Sequence, residues 1–146
     1  DGQSLLLTDA VGFVRNLPHR LVEAFKATLE EVVLSDFLVH VLDASDPEIE
    51  RLYGTTHEVM AELGAGDKKT VTVLNKIDLV PEKETLLAFI SEHFGGDDYE
   101  GIMMISAKNG SGVDELEKQV LAGLGIADPY HDRCIDVKES HERRSI

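Results

Sequence analysis

The chain has 146 residues, of which 42% are hydrophobic and 5% aromatic, so one domain with a core of Leu, Val, Ile and Ala is expected. Its 28 acidic and 14 basic residues give a net charge of −14, which disfavours free-standing nucleic-acid binding, and we expect no direct DNA binding. No apolar run approaches the length of a membrane span, and residues 1–15 show no leader pattern. The single cysteine, Cys134, rules out an internal disulfide, so a cytoplasmic protein is expected.

The first half of the chain predicts two strands, each followed by a helix. "SLLLTD" (4–9) is predicted to be a short buried strand, and Asn16 to cap a helix whose first turn holds Pro18. Apolar residues then recur at helical spacing, at Leu21, Phe25, Leu29 and Val32. "DFLVHVLDAS" (36–45) is apolar on both sides, which is typical of a strand covered by helices on both faces. Asp46-Pro47 starts the next helix, which is predicted to end near the glycines of 64–66.

The second half repeats the pattern. "TVTVLNKIDLV" (70–80) is rich in β-branched residues and predicts a third strand, followed by a helix from Pro81 to about Gly95. "GIMMIS" (101–106) predicts the fourth strand, and residues 112–124 predict the last helix. Its inward side chains are expected to be Val113, Leu116, Val120 and Leu124.

Four alternations of strand and helix predict an α/β fold with three layers, in which helices cover both faces of a parallel sheet. Residues 127–146 lose the apolar period. We therefore predict one domain over residues 1–126, followed by a C-terminal tail over 127–146 that is partly ordered against it.

Polar residues end three of the predicted strands, where open parallel sheets bind their ligands. The first strand ends at Asp9 and Gly12 within "DAVG". The third ends at Asn75, Lys76 and Asp78 within "NKID". The fourth ends in "SAK", which comprises Ser106, Ala107 and Lys108.

The "NKID" segment suits a guanine base. A carboxylate such as Asp78 can accept two parallel hydrogen bonds from guanine N1–H and the 2-amino group, whereas a buried carboxylate facing adenine loses roughly 1–3 kcal/mol. Asn75 can donate to a ring acceptor or tie loops together. The apolar stem of Lys76 can lie along one face of the base. The alternative for these four residues is an ordinary loop after a strand.

The other two segments complete this interpretation. A backbone N–H of "SAK" can donate to the guanine 6-oxo group, and the Lys108 stem can cover the opposite face of the base. Asp9 can hold Mg²⁺ through water, and the N–H of Gly12 can approach a terminal phosphate because no Cβ obstructs it. Taken alone, each of these two segments is better explained as a plain strand-to-loop turn, and the interpretation depends on the three segments together.

The order Asp-x-x-Gly, Asn-Lys-x-Asp and Ser-Ala-Lys resembles the last three motifs of a P-loop GTPase domain. Residues 9–33, "DAVGFVRNLPHRLVEAFKATLEEVV", are similar to the HflX-type ribosome-associated GTPases, although Ala10 stands where that family usually has Thr. The resemblance covers about residues 4–125. It implies a parent protein that binds GTP with Mg²⁺, hydrolyses it to GDP and phosphate, and associates with the large ribosomal subunit. It also implies that residues 13–20, with Arg15 and Arg20, form a switch segment.

The sequence departs from this family in two ways. Phe13 stands where many GTPases carry a water-orienting Gln, so no catalytic residue is assigned. No Gly-x-x-x-x-Gly-Lys-Ser/Thr occurs in these residues, and the glycines of 64–66 and 109–112 lack the required spacing. We therefore expect a truncated P-loop GTPase domain that lacks its first strands, with the phosphate loop upstream of residue 1. Residues 1–146 alone are expected to be inactive and to bind GTP at best with a millimolar-range Kd, on the order of −4 kcal/mol.

Two structural alternatives follow for the sheet without its first strand. Either the strand of residues 4–9 pairs directly with that of 36–45, or another chain fills the gap by strand exchange.

Two other function classes stay open. One is a nucleotide-free interaction module of the same fold. The other is a receiver-like phosphoacceptor domain that would use Asp43 and Lys108, although Asp9 lacks the acidic neighbour that such a domain needs. The six histidines show no metal spacing and are interpreted as scattered surface or core residues.

Overall fold

The computed structural model describes residues 4–10, 29–95, 101–126 and 136–139, the last as backbone only. The strands are β1 (Ser4–Leu7), β2 (Leu38–Asp43), β3 (Thr70–Asn75), β4 (Ile102–Met104) and β5 (Asp136–Glu139). The helices are α1 (residues 29–34), α2 (Ile49–Glu62), α3 (Lys83–Phe94) and α4 (Val113–Gly123), with a 3₁₀ turn at Ile77–Leu79. Among these helices none has the length and apolar character needed to cross a membrane.

Strands β2, β3 and β4 form one parallel sheet in that order. Leu38 pairs with Thr70 at the start of the β2–β3 ladder, and Asp43 pairs with Asn75 at its end. The β3–β4 ladder runs from Thr72–Ile102 to Leu74–Met104. The predicted α/β class with a parallel sheet is therefore confirmed.

Helices cover both faces of this sheet. On one face, Leu42 and Leu74 pack with Tyr53 of α2 and with Leu86 and Phe89 of α3. On the other face, Val71, Val73 and Ile105 form the buried cluster that α4 covers through Leu116 and Val120. Because β3 is central, its residues Val71, Val73 and Leu74 have no exposed surface.

Several local predictions need correction. Strand β2 is covered on one face only, since Val39 and Val41 are exposed on the face where α4 packs over the neighbouring strands. In α4, the predicted inward residue Val113 is 37% exposed, whereas Leu121 is buried. The prediction for β1 was also wrong, because Leu6 and Leu7 are exposed rather than buried.

Strand β1 does not pair with β2, which was one of the two predicted alternatives. Strand β1 forms a separate two-stranded parallel sheet with β5, in a register that joins Ser4 to Asp136 and Leu7 to Glu139. A strand needs a partner for its backbone N–H and C=O groups, and the tail of the same chain provides one here. Strand exchange with a second chain stays a prediction, as does the domain boundary at residue 126.

Candidate nucleotide-binding site

The carboxyl end of β3 turns sharply at Lys76. The strand ends at Asn75, five residues before the end predicted from the sequence, because Lys76 has a left-handed backbone with φ of 64°. Among the described residues other than glycine, Lys76 alone has a positive φ. The following 3₁₀ turn brings Asp78 back toward the neighbouring strand, where the Ser106 hydroxyl donates to Asp78 Oδ1 at 2.7 Å.

Asn75 joins the ends of all three strands. Its side-chain Oδ1 accepts the backbone N–H of Ala107 at 3.0 Å, and its backbone oxygen accepts the N–H of Ala44 at 2.8 Å. The N–H of Ile77 donates to the Ile105 oxygen at 3.2 Å. Two roles were considered for Asn75, donation to a base and the joining of loops. In the structure its Oδ1 joins the loops after β3 and β4.

The loop after β4 is closed on itself and presents Ala107 and Lys108. The Ser106 N–H donates to the Ser111 oxygen at 2.9 Å. Gly112 has a positive φ of 76°, and a Cβ at this position would lie 2.8 Å from the Met104 oxygen. "NGSG" thus shapes the loop after β4, because only glycine fits the backbone at residue 112 without strain.

Between these two loops lies a pocket of about 260 Å³. It is lined by Asn75, Lys76, Asp78, Leu79 and Lys108. This volume is just below the range of about 300–1,000 Å³ that is common for whole small-molecule sites, so it suits one base rather than a complete nucleotide. Four of the residues predicted to contact the base therefore line one pocket, although they lie up to 33 positions apart in the sequence.

An ion pair joins Lys76, which lines the pocket, to Asp43 at the end of β2. Lys76 Nζ donates to Asp43 Oδ2 at 2.6 Å, while Asp43 Oδ1 accepts the hydroxyl of Ser45 at 2.6 Å and its N–H at 3.0 Å. Partial burial acts to raise the pKa of Asp43, but the hydrogen bonds from Lys76 and Ser45 outweigh it and lower that pKa. The hydrogen bond to Asp43 and its negative charge in turn raise the pKa of Lys76.

Three details of the predicted base contacts differ in the structure. Asp78 is exposed, so its discrimination against adenine would depend on burial by the base itself. The N–H of Ala107 is bonded to Asn75, so a base oxygen would have to share or replace this bond. The ammonium of Lys76 points to Asp43.

Asp9, the one described residue among those predicted to serve the phosphates and Mg²⁺, does not lie with the residues predicted to contact the base. Asp9 is exposed and follows β1, which pairs with β5 outside the three-stranded sheet. Within the described ranges, no hydrogen bond or ion pair joins Asp9 to the loops after β3 and β4. Gly12, Phe13 and the predicted switch segment with Arg15 and Arg20 lie outside the described residues.

The sequence reasoning missed the contribution of β2. It considered Asp43 only as a phosphoacceptor, whereas both of its oxygens are bonded to neighbouring groups. The signal was present, because "LDAS" places a carboxylate and a hydroxyl directly after β2, in register with Asn75. This arrangement does not favour the receiver-like alternative.

The three histidines that the structure describes are not scattered, whereas His19, His131 and His141 lie outside the described residues. His40, His57 and His93 surround the buried ring of Tyr53, with ring centroids at 5.9, 4.2 and 5.1 Å from it. Burial, together with the nearby charge of His57, lowers the pKa of His40 to about 4. Burial and His93 also lower the pKa of His57. The three histidines are half-buried, next to the buried Tyr53 of α2.

Comparisons with known proteins point to one family. The chain is 52% identical over 149 aligned residues to a protein from Akkermansia muciniphila named GTPase HflX, and the match covers 99% of this chain and 29% of that protein. It is 42% identical to GTPase HflX from Lacrimispora saccharolytica, with coverage of 95% and 31%. No protein-family model matches the chain.

A solved structure is similar as well. A GTP-binding protein from Sulfolobus solfataricus in complex with GDP superposes with a TM-score of 0.71 at 26% identity, covering 80% of this chain and 39% of that one. The parallel sheet and the paired loops at its carboxyl edge therefore define a fragment of the P-loop GTPase class of α/β proteins. Within that class, the chain belongs to the HflX family of GTPases. It spans less than a third of the length of the curated relatives reported above.

Proposed function

We propose that residues 75–78 and 106–108 form the guanine-binding part of a GTP-binding protein of the HflX type. One observation carries the proposal: the hydrogen bonds Ser106–Asp78 and Ala107–Asn75 hold the two segments around a pocket of base size. Asp78 Oδ1 accepts from Ser106, and the other carboxylate oxygen and the remaining lone pair stay available for N1–H and the 2-amino group of guanine.

For the whole protein we propose GTP hydrolysis to GDP and phosphate, with Mg²⁺ brought in by the nucleotide phosphates. Asp9 fits a water-mediated contact to that ion, because its carboxylate is exposed and makes no ion pair among the described residues. A single carboxylate does not hold Mg²⁺ without phosphate oxygens, so this role depends on bound nucleotide. Association with the large ribosomal subunit and a cytoplasmic location are proposed from the resemblance at residues 9–33.

Residues 1–146 contain no phosphate-loop motif, so their own affinity would depend on base contacts alone. We expect this chain to bind GMP with a Kd on the order of 1 mM. AMP should bind about tenfold more weakly, because adenine leaves the Asp78 carboxylate without its two donors. The measurement is an NMR titration that follows the amide signals of Asp78, Leu79 and Lys108.

The matched variants are Asp78→Asn and Asp67→Asn, which remove one negative charge each. A carboxamide at residue 78 offers one donor and one acceptor, so Asp78→Asn should weaken GMP binding and favour xanthosine monophosphate, whose 2-oxo group accepts a hydrogen bond. Asp67 precedes β3 at the opposite edge of the sheet, and Asp67→Asn should bind like the wild type. Equal shifts with GMP and AMP would reject guanine recognition at this pocket. The absence of shifts with both nucleotides would favour the nucleotide-free interaction module.

A further inference from the structure

The side chain of Lys76 is fixed at both of its ends. At the backbone end, the left-handed conformation sets the direction of the Cα–Cβ bond. At the ammonium end, Nζ is hydrogen bonded to Asp43 Oδ2 at 2.6 Å. Between these points the side chain consists of four methylene groups, and Lys76 lines the pocket between the two loops.

Asp43 is itself held in place. It occupies the last position of β2, directly in register with Asn75 of β3. The N–H of Ala44 donates to the Asn75 oxygen, which ties the two strand ends together. The N–H and the hydroxyl of Ser45 both donate to Asp43 Oδ1, so only Oδ2 faces the lysine.

A lysine side chain held in this manner loses less conformational entropy on ligand binding than a free lysine side chain does. A free lysine side chain samples many rotamers, and it would have to lose this freedom when a flat ligand packs against its stem. A lysine that is already paired loses less, so the pocket is preorganised. The ion pair itself is half exposed, and such pairs contribute little to folding stability.

We propose that Asp43, oriented by Ser45, is a positioning residue that holds the Lys76 stem as one wall of the base pocket and so raises affinity for a purine base. The inference rests on the guanine-binding role proposed above and adds β2 to the strands that build the pocket. It predicts that the loss of the Asp43 charge weakens base binding through Lys76 and through no other group.

The test uses the full chain as wild type, Asp43→Asn, Lys76→Met and the double variant, each titrated with GMP. Asparagine keeps the oxygen that Ser45 bonds but presents an amide group to the ammonium of Lys76. Methionine keeps an apolar stem and removes the charge. We expect Asp43→Asn to raise the Kd for GMP about threefold in the Lys76 background, and to leave it unchanged in the Lys76→Met background.

Two further readouts separate positioning from a general loss of structure. The ¹³Cε signal of Lys76 reports its titration directly, and its pKa should fall toward the ordinary value in Asp43→Asn. Asp46→Asn is the matched control, since Asp46 acts on Lys76 only by charge and its side chain instead accepts the N–H of Glu48. This control should bind GMP like the wild type.

The outcomes distinguish this inference from the function on which it rests. If the wild type shows no preference for GMP over AMP, the guanine site fails and the role of Asp43 falls with it. If the wild type binds GMP and Asp43→Asn binds it equally well, the positioning role alone is wrong. The same holds if Asp43→Asn weakens binding equally in the Lys76→Met background, because Asp43 would then act through another group.

Discussion

The ends of β1 and β3 both carry a GTPase sequence motif. Only the motif after β3 is held in place by hydrogen bonds to a neighbouring loop. After β3, Asp78 and Asn75 are hydrogen bonded to the loop that follows β4. After β1, Asp9 is exposed and bonded to none of these residues. The difference follows from burial, because β3 is fully covered by helices on both faces whereas β1 pairs with β5 alone and exposes Leu6 and Leu7.

The loops after β3 and β4 are preorganised by the buried strands from which they extend. A strand packed on both sides keeps its end in place, so a polar loop that extends from it can be held by a few hydrogen bonds. An exposed two-stranded pair has no comparable core, and such pairs are marginally stable in water. The loop after β3 therefore follows the most deeply buried strand among the described residues, and the loop after β4 is hydrogen bonded to it.

The largest expected difference between the two strands is in stability. Leu74→Ala in β3 removes a side chain with no exposed surface from the core cluster, and should lower the free energy of unfolding by about 2–5 kcal/mol. Leu6→Ala in β1 makes the same chemical change at a residue that is 67% exposed, and should change it by less than about 0.5 kcal/mol. Urea denaturation of both variants measures this contrast. Equal losses in the two variants would show that β1 is as well packed as β3.

Acid should open the three-stranded sheet before it affects β1. The pKa of His40 is lowered from 6.5 to about 4 in the folded chain, so the folded state binds fewer protons than the unfolded state between these values. The contribution of neutral His40 to the free energy of unfolding is thus fully present above pH 6.5. About 3 kcal/mol of it is lost as the pH falls through 4. His57 faces the same Tyr53 ring, and its positive charge would act against that of a protonated His40.

Hydrogen exchange of the β3 amides at pH 7 and pH 5 tests this acid dependence. His40→Phe keeps an aromatic ring against Tyr53 and removes the titrating group, so this variant should lose less stability between the two pH values. A wild type and a His40→Phe variant with the same dependence on pH would contradict the assignment to His40.

The smallest expected effect concerns ligand binding. Ser106→Ala removes the hydroxyl that holds Asp78 and should weaken GMP binding by about 1 kcal/mol, which is roughly a fivefold rise in Kd. Asp9→Asn at the end of β1 should leave the binding of GMP without Mg²⁺ unchanged, because no hydrogen bond or ion pair among the described residues joins Asp9 to the loops after β3 and β4. A loss of affinity in Asp9→Asn would mean that the two strand ends meet when a nucleotide binds.

Much of the fold could be predicted from local patterns. The stop of α2 near Gly64 follows from its positive φ, which suits a glycine after a helix, and the β-branched run from Thr70 predicts the buried strand β3. The end of β3 was placed too late, because the apolar character of Ile77 and Leu79 hides the left-handed turn at Lys76. The exposure of Val39 could not be foreseen, since it depends on how far α4 extends across the sheet.

The sequence by itself determined the alternation of strands and helices, the motifs that indicate a GTPase domain, and the segment 9–33 that indicates the family, because these depend on residue types at short spacing. Only the tertiary structure decided that Lys76 pairs with Asp43, that the histidines gather around Tyr53, and that β1 pairs with β5. The physical reason is that these contacts join residues far apart in the chain. Their formation depends on which surfaces the packed sheet leaves side by side, and no local pattern encodes that choice.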